Sequence, residues 1–230
     1  KFERARIDAL LVTNREMVDA EENVSDDLKD AIQLAKGNIE KFHKSQMQQE
    51  PVIETAPGVK CWRKSIPIEK VGLYIPGGSA PLFSSILMLG IPAKIAGCNE
   101  IILCTPPATD GSVNPIVLYT AKLLGISRVY KTGGAQAIAA MAYGTASIPA
   151  VSKIFGPGNQ FVTRAKELVQ LDGVAIDMPA GPSEVLIIAD ETAVPKFVAA
   201  DLLSQAEHGA DSQVILVSGS EIVIEECLLE

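Results

Sequence analysis

Val71-Gly72-Leu73-Tyr74-Ile75-Pro76-Gly77-Gly78-Ser79-Ala80-Pro81 decides the fold. It opens as a short β-prone run, turns into a loop of glycine and proline, and leads into a helical pattern over Pro81 to Ala96. The same alternation then continues along the chain. Strand candidates are Val71 to Ile75, Glu100 to Cys104, Arg128 to Tyr130, Lys153 to Phe155, Glu184 to Ala189 and Gln213 to Val217. Helical patterns fill the gaps at Pro115 to Leu124, Ala135 to Ala142, Gln160 to Val169 and Pro195 to Glu207. Strands separated by helices pair in parallel through right-handed crossovers, which requires helices on both faces of the sheet. The pattern predicts an α/β fold built on a mostly parallel sheet.

Before Val71 the rhythm differs. Asp19 to Gln49 is charged and helix-permissive, and Leu28, Ile32, Ala35 and Ile39 set one apolar stripe on a helix beginning near Ser25. Val52 to Thr55 and Val59 to Arg63 flank Ala56-Pro57-Gly58, a β-hairpin pattern. Toward the other end, Asp177-Met178-Pro179-Ala180-Gly181-Pro182 interrupts the alternation and marks a domain junction near Pro182. Three regions result: 1–70 as a helical segment and hairpin, 71–183 as the main α/β unit, and 184–230 as a strand-helix-strand segment. Whether 1–70 belongs with the first α/β unit or a second one stays open. Glu221 to Glu230 reads as a helix cut in mid-run, and Lys1-Phe2-Glu3-Arg4 has neither an initiator Met nor the apolar region of a signal peptide.

The chain has 230 residues, 47% of them hydrophobic and 21% charged, a globular balance large enough for a substantial core. With 20 Lys and Arg against 28 Asp and Glu its formal charge is −8, the wrong sign for gripping nucleic acid. Its longest apolar stretches, such as Leu82 to Ile91, fall short of the roughly 20 residues that span a bilayer. The four cysteines, Cys61, Cys98, Cys104 and Cys227, show no zinc-knuckle or redox spacing and fit reduced thiols in a cytoplasmic protein.

Open parallel sheets bind ligands beyond the carboxyl ends of their strands. Four candidate loops lie there: Tyr74 to Pro81, Thr132-Gly133-Gly134-Ala135-Gln136-Ala137, Gly156-Pro157-Gly158-Asn159 and Ala180-Gly181-Pro182-Ser183-Glu184. Three present glycine ahead of a helix, whose first N–H groups and dipole suit a pyrophosphate. None spells GxGxxG, and each also reads as an ordinary turn.

There are two histidines. His43 lies among Lys41, Lys44 and Gln46 on a polar helix face. His208 closes Ser204-Gln205-Ala206-Glu207-His208, where Asp201, Gln205 and His208 fall on one helical face, away from an apolar stripe of Ala199, Leu202, Leu203 and Ala206. Imidazole and amide oxygen can supply two ligands to a divalent ion, or His208 can simply complement a helix C-terminus ahead of Gly209. Ser183 suits either a substrate contact or a turn cap, and Cys104 has no neighbouring cation to activate it.

These segments together resemble the histidinol dehydrogenase family. The resemblance is carried by Val71 to Gly78, by Gly133-Gly134-Ala135-Gln136-Ala137-Ile138-Ala139-Ala140, by Ile154-Phe155-Gly156-Pro157-Gly158-Asn159, and by the stretch from Ile176-Asp177 through Ala180-Gly181-Pro182-Ser183-Glu184 to Asp201 and His208. It implies Rossmann-like units of aldehyde-dehydrogenase-like architecture, an intertwined homodimer, and a zinc-dependent, NAD-linked oxidation of L-histidinol to L-histidine. Carried onto matching positions, it implies that Tyr74, Gln136 and Asn159 contact NAD. Ser183 would contact substrate, and Gln205 and His208 would serve both zinc and substrate. The family's Glu-His acid/base pair and its other two zinc ligands would lie beyond Glu230, so the resemblance assigns no catalytic acid or base within these residues. Two rivals stand beside it: an aldehyde or acyl-phosphate reductase of related fold, which needs an activated cysteine, and a nucleotide-binding module without catalysis.

Overall fold

Period-two alternation along the strands decides which helices lie on which side of the sheet. The computed structural model describes residues 9–47, 50–77, 82–179, 184–206 and 212–230, and it divides into two units, Lys1–Pro179 and Ala180–Glu230. The first unit opens with α1 (Asn14–Glu22), α2 (Asp26–Lys44) and an antiparallel hairpin of β1 (Ile53–Ala56) and β2 (Val59–Cys61). There follow β3 (Lys70–Tyr74), α3 (Phe83–Ala96), β4 (Glu100–Thr105), α4 (Pro115–Leu123), β5 (Arg128–Lys131), α5 (Gly134–Tyr143), β6 (Lys153–Phe155), α6 (Gln160–Leu171) and β7 (Ala175–Ile176).

The five strands β3 to β7 form one parallel sheet in the order β5-β4-β3-β6-β7. Val71, Leu73, Ile101, Leu103 and Val129 point to one side, where Ile86 and Leu87 of α3 and Val117 and Leu118 of α4 meet them. Ile102, Cys104, Tyr130 and Ile154 point to the other, against Ile138 and Met141 of α5 and Val162 and Val169 of α6. Leu73 and Ile102 are fully buried; enclosing a side chain of this size contributes about 1.5–3 kcal/mol. The expected α/β class, with a parallel sheet and helices on both faces, is the observed one.

The N-terminal helices join this unit. Residues 10–12 run antiparallel to β5, with the Val12 N–H donating to Val129 O and the Lys131 N–H to Leu10 O, both at 2.8 Å. Thr13 then caps α1 in a reciprocal box with Glu16. Glu16 also accepts from Lys131, and Glu21 from Lys122 at 2.7 Å, so two ion pairs fasten α1 to β5 and α4. Ile32 of α2 is buried in the same core.

The second unit holds β8 (Val185–Ala189), α7 (Pro195–Ala206), β9 (Val214–Ser218) and α8 (Glu221–Leu228). Its two strands pair in parallel over a small core of Ala189, Val198 and Val223.

Four details differ from the sequence expectations. A separate helix α1 precedes the charged segment, because Thr13 and Glu16 start it before Asp19. A two-residue strand, β7, lies where no strand was expected, since so short a run carries no period. The apolar stripe of α7 is Val198, Ala199 and Leu202, while Leu203 is 59% exposed and Ala206 is also exposed. Leu203 is one residue, and so about 100°, around the helix from Leu202. Finally, α8 ends at Leu228 instead of running on through Glu230. Among the described residues no helix is long and apolar enough to cross a membrane.

Burial works to raise the pKa of the Glu16 carboxyl, but Lys131 and Thr13 donate to it and hold it below its ordinary 4.5. A carboxyl depressed on folding adds stability above its unfolded pKa and loses it as pH falls through the folded value. Thr13→Ala is therefore expected to lower stability by about 1 kcal/mol in urea denaturation at neutral pH. Glu16→Gln is expected to be destabilised at neutral pH, with its difference from the parent shrinking as the titration passes below pH 4.5.

Candidate functional site

The strand order reverses between β3 and β6. From β3 the chain steps one way to β4 and β5, then returns across the sheet to β6 and β7 on the other side. Helices α3 and α4 consequently pack on one face and α5 and α6 on the opposite face, and the loops leaving β3 and β6 diverge. The crevice between such loops, at the carboxyl ends of the strands, is where doubly wound sheets take ligands.

Tyr74 is the last residue of β3 and is buried on the α5 and α6 side. Its hydroxyl accepts a hydrogen bond from the Gly134 N–H at 3.0 Å, tying the end of β3 to the first residue of α5. Helix α5 has Gly133 at its N-cap. Gln136 lies in its first turn. A Cβ at Gly133 would sit 2.5 Å from Pro106, and one at Gly77 2.6 Å from the same ring, so the backbones of both loops close around Pro106 as only glycine permits. Asn159 is the N-cap of α6, its Oδ1 accepting from Phe161 N at 3.1 Å and Val162 N at 3.2 Å. Tyr74, Gln136 and Asn159 thus share the carboxyl edge of one sheet, around the reversal.

Gly156 brings the two diverging loops together. It has φ +130°, and a Cβ there would lie 2.0 Å from Tyr74 O. Its N–H donates to Asp177 Oδ2 at 2.7 Å and its carbonyl accepts from Lys166 Nζ at 2.9 Å. Lys166, 3% exposed, also pairs with the Asp177 carboxylate. Sequence reading passed over this pair, although a signal existed: Lys166 falls between Val162 and Val169 at helical spacing, a charge on the buried face of α6.

In the second unit, Gln205 is in the last turn of α7 and its amide nitrogen donates to Ser212 Oγ at 3.3 Å. Ser183, His208 and the loop residues 78–81 lie outside the described residues. Among the described residues no three His, Cys, Asp or Glu side chains gather closely enough to share a metal ion. Gln205 alone does not make a zinc site. His43, in the last turn of α2, is paired with Gln46 just beyond the helix at 2.8 Å.

A family model described as histidinol dehydrogenase matches residues 1–230. The chain belongs to the histidinol dehydrogenase family. It is 62% identical over 229 residues to histidinol dehydrogenase of Bacteroides fragilis, covering 100% of this chain and 54% of that protein. It is 57% identical over 225 residues to the Xylella fastidiosa (strain Temecula1) protein of the same name, covering 97% of this chain and 52% of that one. The crystal structure of histidinol dehydrogenase from Elizabethkingia anophelis superposes with a TM-score of 0.93 at 60% identity, over 99% of this chain and 53% of that one. The chain spans about half the length of the curated relatives it matches.

Family membership disfavours the cysteine-dependent reductase, and the thiols argue the same way. Cys104, near the carboxyl end of β4, is fully buried, and burial pushes its pKa up to about 12. Burial also raises the thiol of Cys98, which lies at the opposite edge, between α3 and β4. Cys61 belongs to the hairpin and Cys227 to α8, where its thiol donates to Pro195 O. An apolar cavity of about 480 Å³, bordered by Ile66, Val71, Met88, Pro92, Cys98 and Phe155, lies on the α3 face of the sheet.

Two outcomes follow from this geometry. Gly156→Ala forces a β-carbon onto Tyr74 O at a torsion that disfavours side chains, a strain of at least about 1–3 kcal/mol, which thermal unfolding measures. Native protein treated with iodoacetamide at pH 8 is expected to carry the label on exposed Cys61 and none on Cys104, read by peptide mass spectrometry.

Proposed function

We propose that the protein oxidises L-histidinol to L-histidine with NAD, the last step of histidine biosynthesis, as a cytoplasmic zinc-dependent homodimer. The observation that carries this is the reversal at β3 and β6, flanked by Tyr74, Gln136 and Asn159, in a chain of the histidinol dehydrogenase family. The reaction removes two hydrides in succession: histidinol, two NAD⁺ and water give histidine, two NADH and three protons.

NAD fits the described edge. Helix α5 starts from a glycine N-cap, and the positive end of its dipole at the carboxyl edge of the sheet suits a pyrophosphate. Gln136 offers amide groups in the first turn of that helix. Tyr74 orients the turn by accepting from Gly134 N–H, and Asn159 fixes the start of α6. Removing the Tyr74 hydroxyl would leave the Gly134 N–H without that partner, at a cost of about 0.5–1.5 kcal/mol.

Residues 71–183 accordingly supply the cofactor side, and 184–230 the zinc and substrate side. Ser183, at the junction of the two, serves substrate, and Gln205 and His208 serve both zinc and substrate. Zinc, when bound, supplies an anchor for nitrogen and oxygen groups of the substrate and so orients its carbinol carbon. The acid/base pair belongs to sequence beyond Glu230, and without it proton removal slows by about 10²–10⁴-fold.

The test is NADH formation. A protein of the relatives' full length carrying these residues is expected to yield two NADH per histidinol, to lose activity on chelation and regain it with zinc. It should also be insensitive to thiol alkylation. The 230-residue chain alone is expected to be slower by at least about 10²-fold. No histidinol-dependent NADH from the longer protein would overturn the proposal.

A further inference from the structure

Asp177, one residue beyond β7, and Lys166, in the middle of α6, hold opposite sides of one glycine. The Gly156 N–H belongs to the peptide with Phe155 and donates to Asp177 at 2.7 Å. The Gly156 carbonyl belongs to the peptide with Pro157 and accepts from Lys166 Nζ at 2.9 Å. Pinning the peptides on both sides of one Cα fixes both of its torsions. Those torsions need fixing, because glycine has the widest choice of any residue and Gly156 has φ +130°.

The consequences run forward along the loop. Pro157 contributes a nearly fixed φ of its own. A Cβ on Gly158 would lie 2.3 Å from Val162, so the loop is laid tightly on the first turn of α6. Asn159 then caps that helix. The direction in which β6 hands over to α6, and with it the placement of Asn159 opposite Tyr74, is therefore set at Gly156.

An ion pair that takes a lysine out of water is a poor device for stability alone, since apolar groups of the same volume often serve as well or better. Lys166 is 3% exposed, and Asp177 anchors itself independently through its own N–H to Ile154 O at 3.2 Å. The pair therefore acts through the geometry it imposes. We propose that Lys166 and Asp177 are positioning residues that hold the Gly156 loop in the form that receives the dinucleotide. This rests on the cofactor reading given above.

The experiment uses Asp177→Asn and Lys166→Met in a protein of the relatives' full length. Asp177→Asn is nearly isosteric and keeps an acceptor oxygen, so it remains the deciding variant if Lys166→Met does not fold. Calorimetry with NAD, amide hydrogen exchange at Gly156 without NAD, and separate KM values for NAD and histidinol are measured below the thermal midpoint of each variant. The expected result is NAD affinity weakened about tenfold or more and faster Gly156 exchange, with KM for histidinol within about twofold of the parent. A folded variant that binds NAD as the parent does would overturn the positioning role while leaving the cofactor reading intact. A parent that binds no NAD would overturn both, and is recognised as such because the parent itself fails.

Discussion

Where β6 leaves the sheet beside the end of β3, there is no room for a side chain. Gly156 passes so close to Tyr74 O that a β-carbon would overlap it. That contact is what a reversal of strand order demands: two neighbouring parallel strands must send their chains to opposite faces within a residue or two of each other. Because β3 turns toward α3 and β6 toward α6, their loops part and a crevice opens between them. Tyr74 faces α5 from the same position and fixes the start of that helix. The close approach, the crevice and the orientation of two helix N-termini are one constraint seen from three sides.

The distribution of reactive groups agrees with chemistry carried by a cofactor. Cys104, the thiol nearest the ligand edge, lies in the apolar layer between the sheet and α5, where ionisation is costly. The charges near the same edge, buried Lys166 and half-buried Asp177, are spent on backbone groups of Gly156 and on each other. Neither is arranged as a nucleophile or a free base. What this edge offers is hydrogen-bonding groups and glycine backbone in a fixed arrangement, which suits binding and orientation rather than covalent chemistry by its own side chains.

Much of the architecture was legible because parallel strands buried on both faces are short continuous apolar runs, and the loops after them announce themselves with glycine and proline. Glu100 to Thr105 and Lys153 to Phe155 stand out on that ground. Periodicity does not see Ala175–Ile176, which is a strand only because β6 is there to pair with it. Nor does it see the Thr13 and Glu16 box, whose meaning depends on Lys131 more than a hundred residues away. The candidate cofactor residues were visible by position in loops, yet the structure adds what loops alone hide: Asn159 spends its Oδ1 on capping α6, and Tyr74 works through Gly134. Gln205 was legible as a residue on the last turn of a helix, but coordination depends on partners distant in sequence, which no local spacing reveals.

The two units differ in how far their own residues hold them in shape. The loops of the reversal belong to Lys1–Pro179, where two apolar layers, α1 to α4 on one side and α5 and α6 on the other, enclose the sheet. Gln205 belongs to Ala180–Glu230, whose core is far smaller and whose two-stranded parallel sheet turns Leu186, Ile188, Ile215 and Val217 outward, all at least 47% exposed. Parallel sheets are stable with both faces covered, and among the described residues of this unit α7 and α8 cover one of them. The loops around Gly156 and Gly134 are therefore preorganised by local packing, whereas α7 carries Gln205 on a unit with little core of its own. On the proposed function, the cofactor side draws on geometry fixed within the first unit, and the metal and substrate side rests on a unit with a far smaller core of its own.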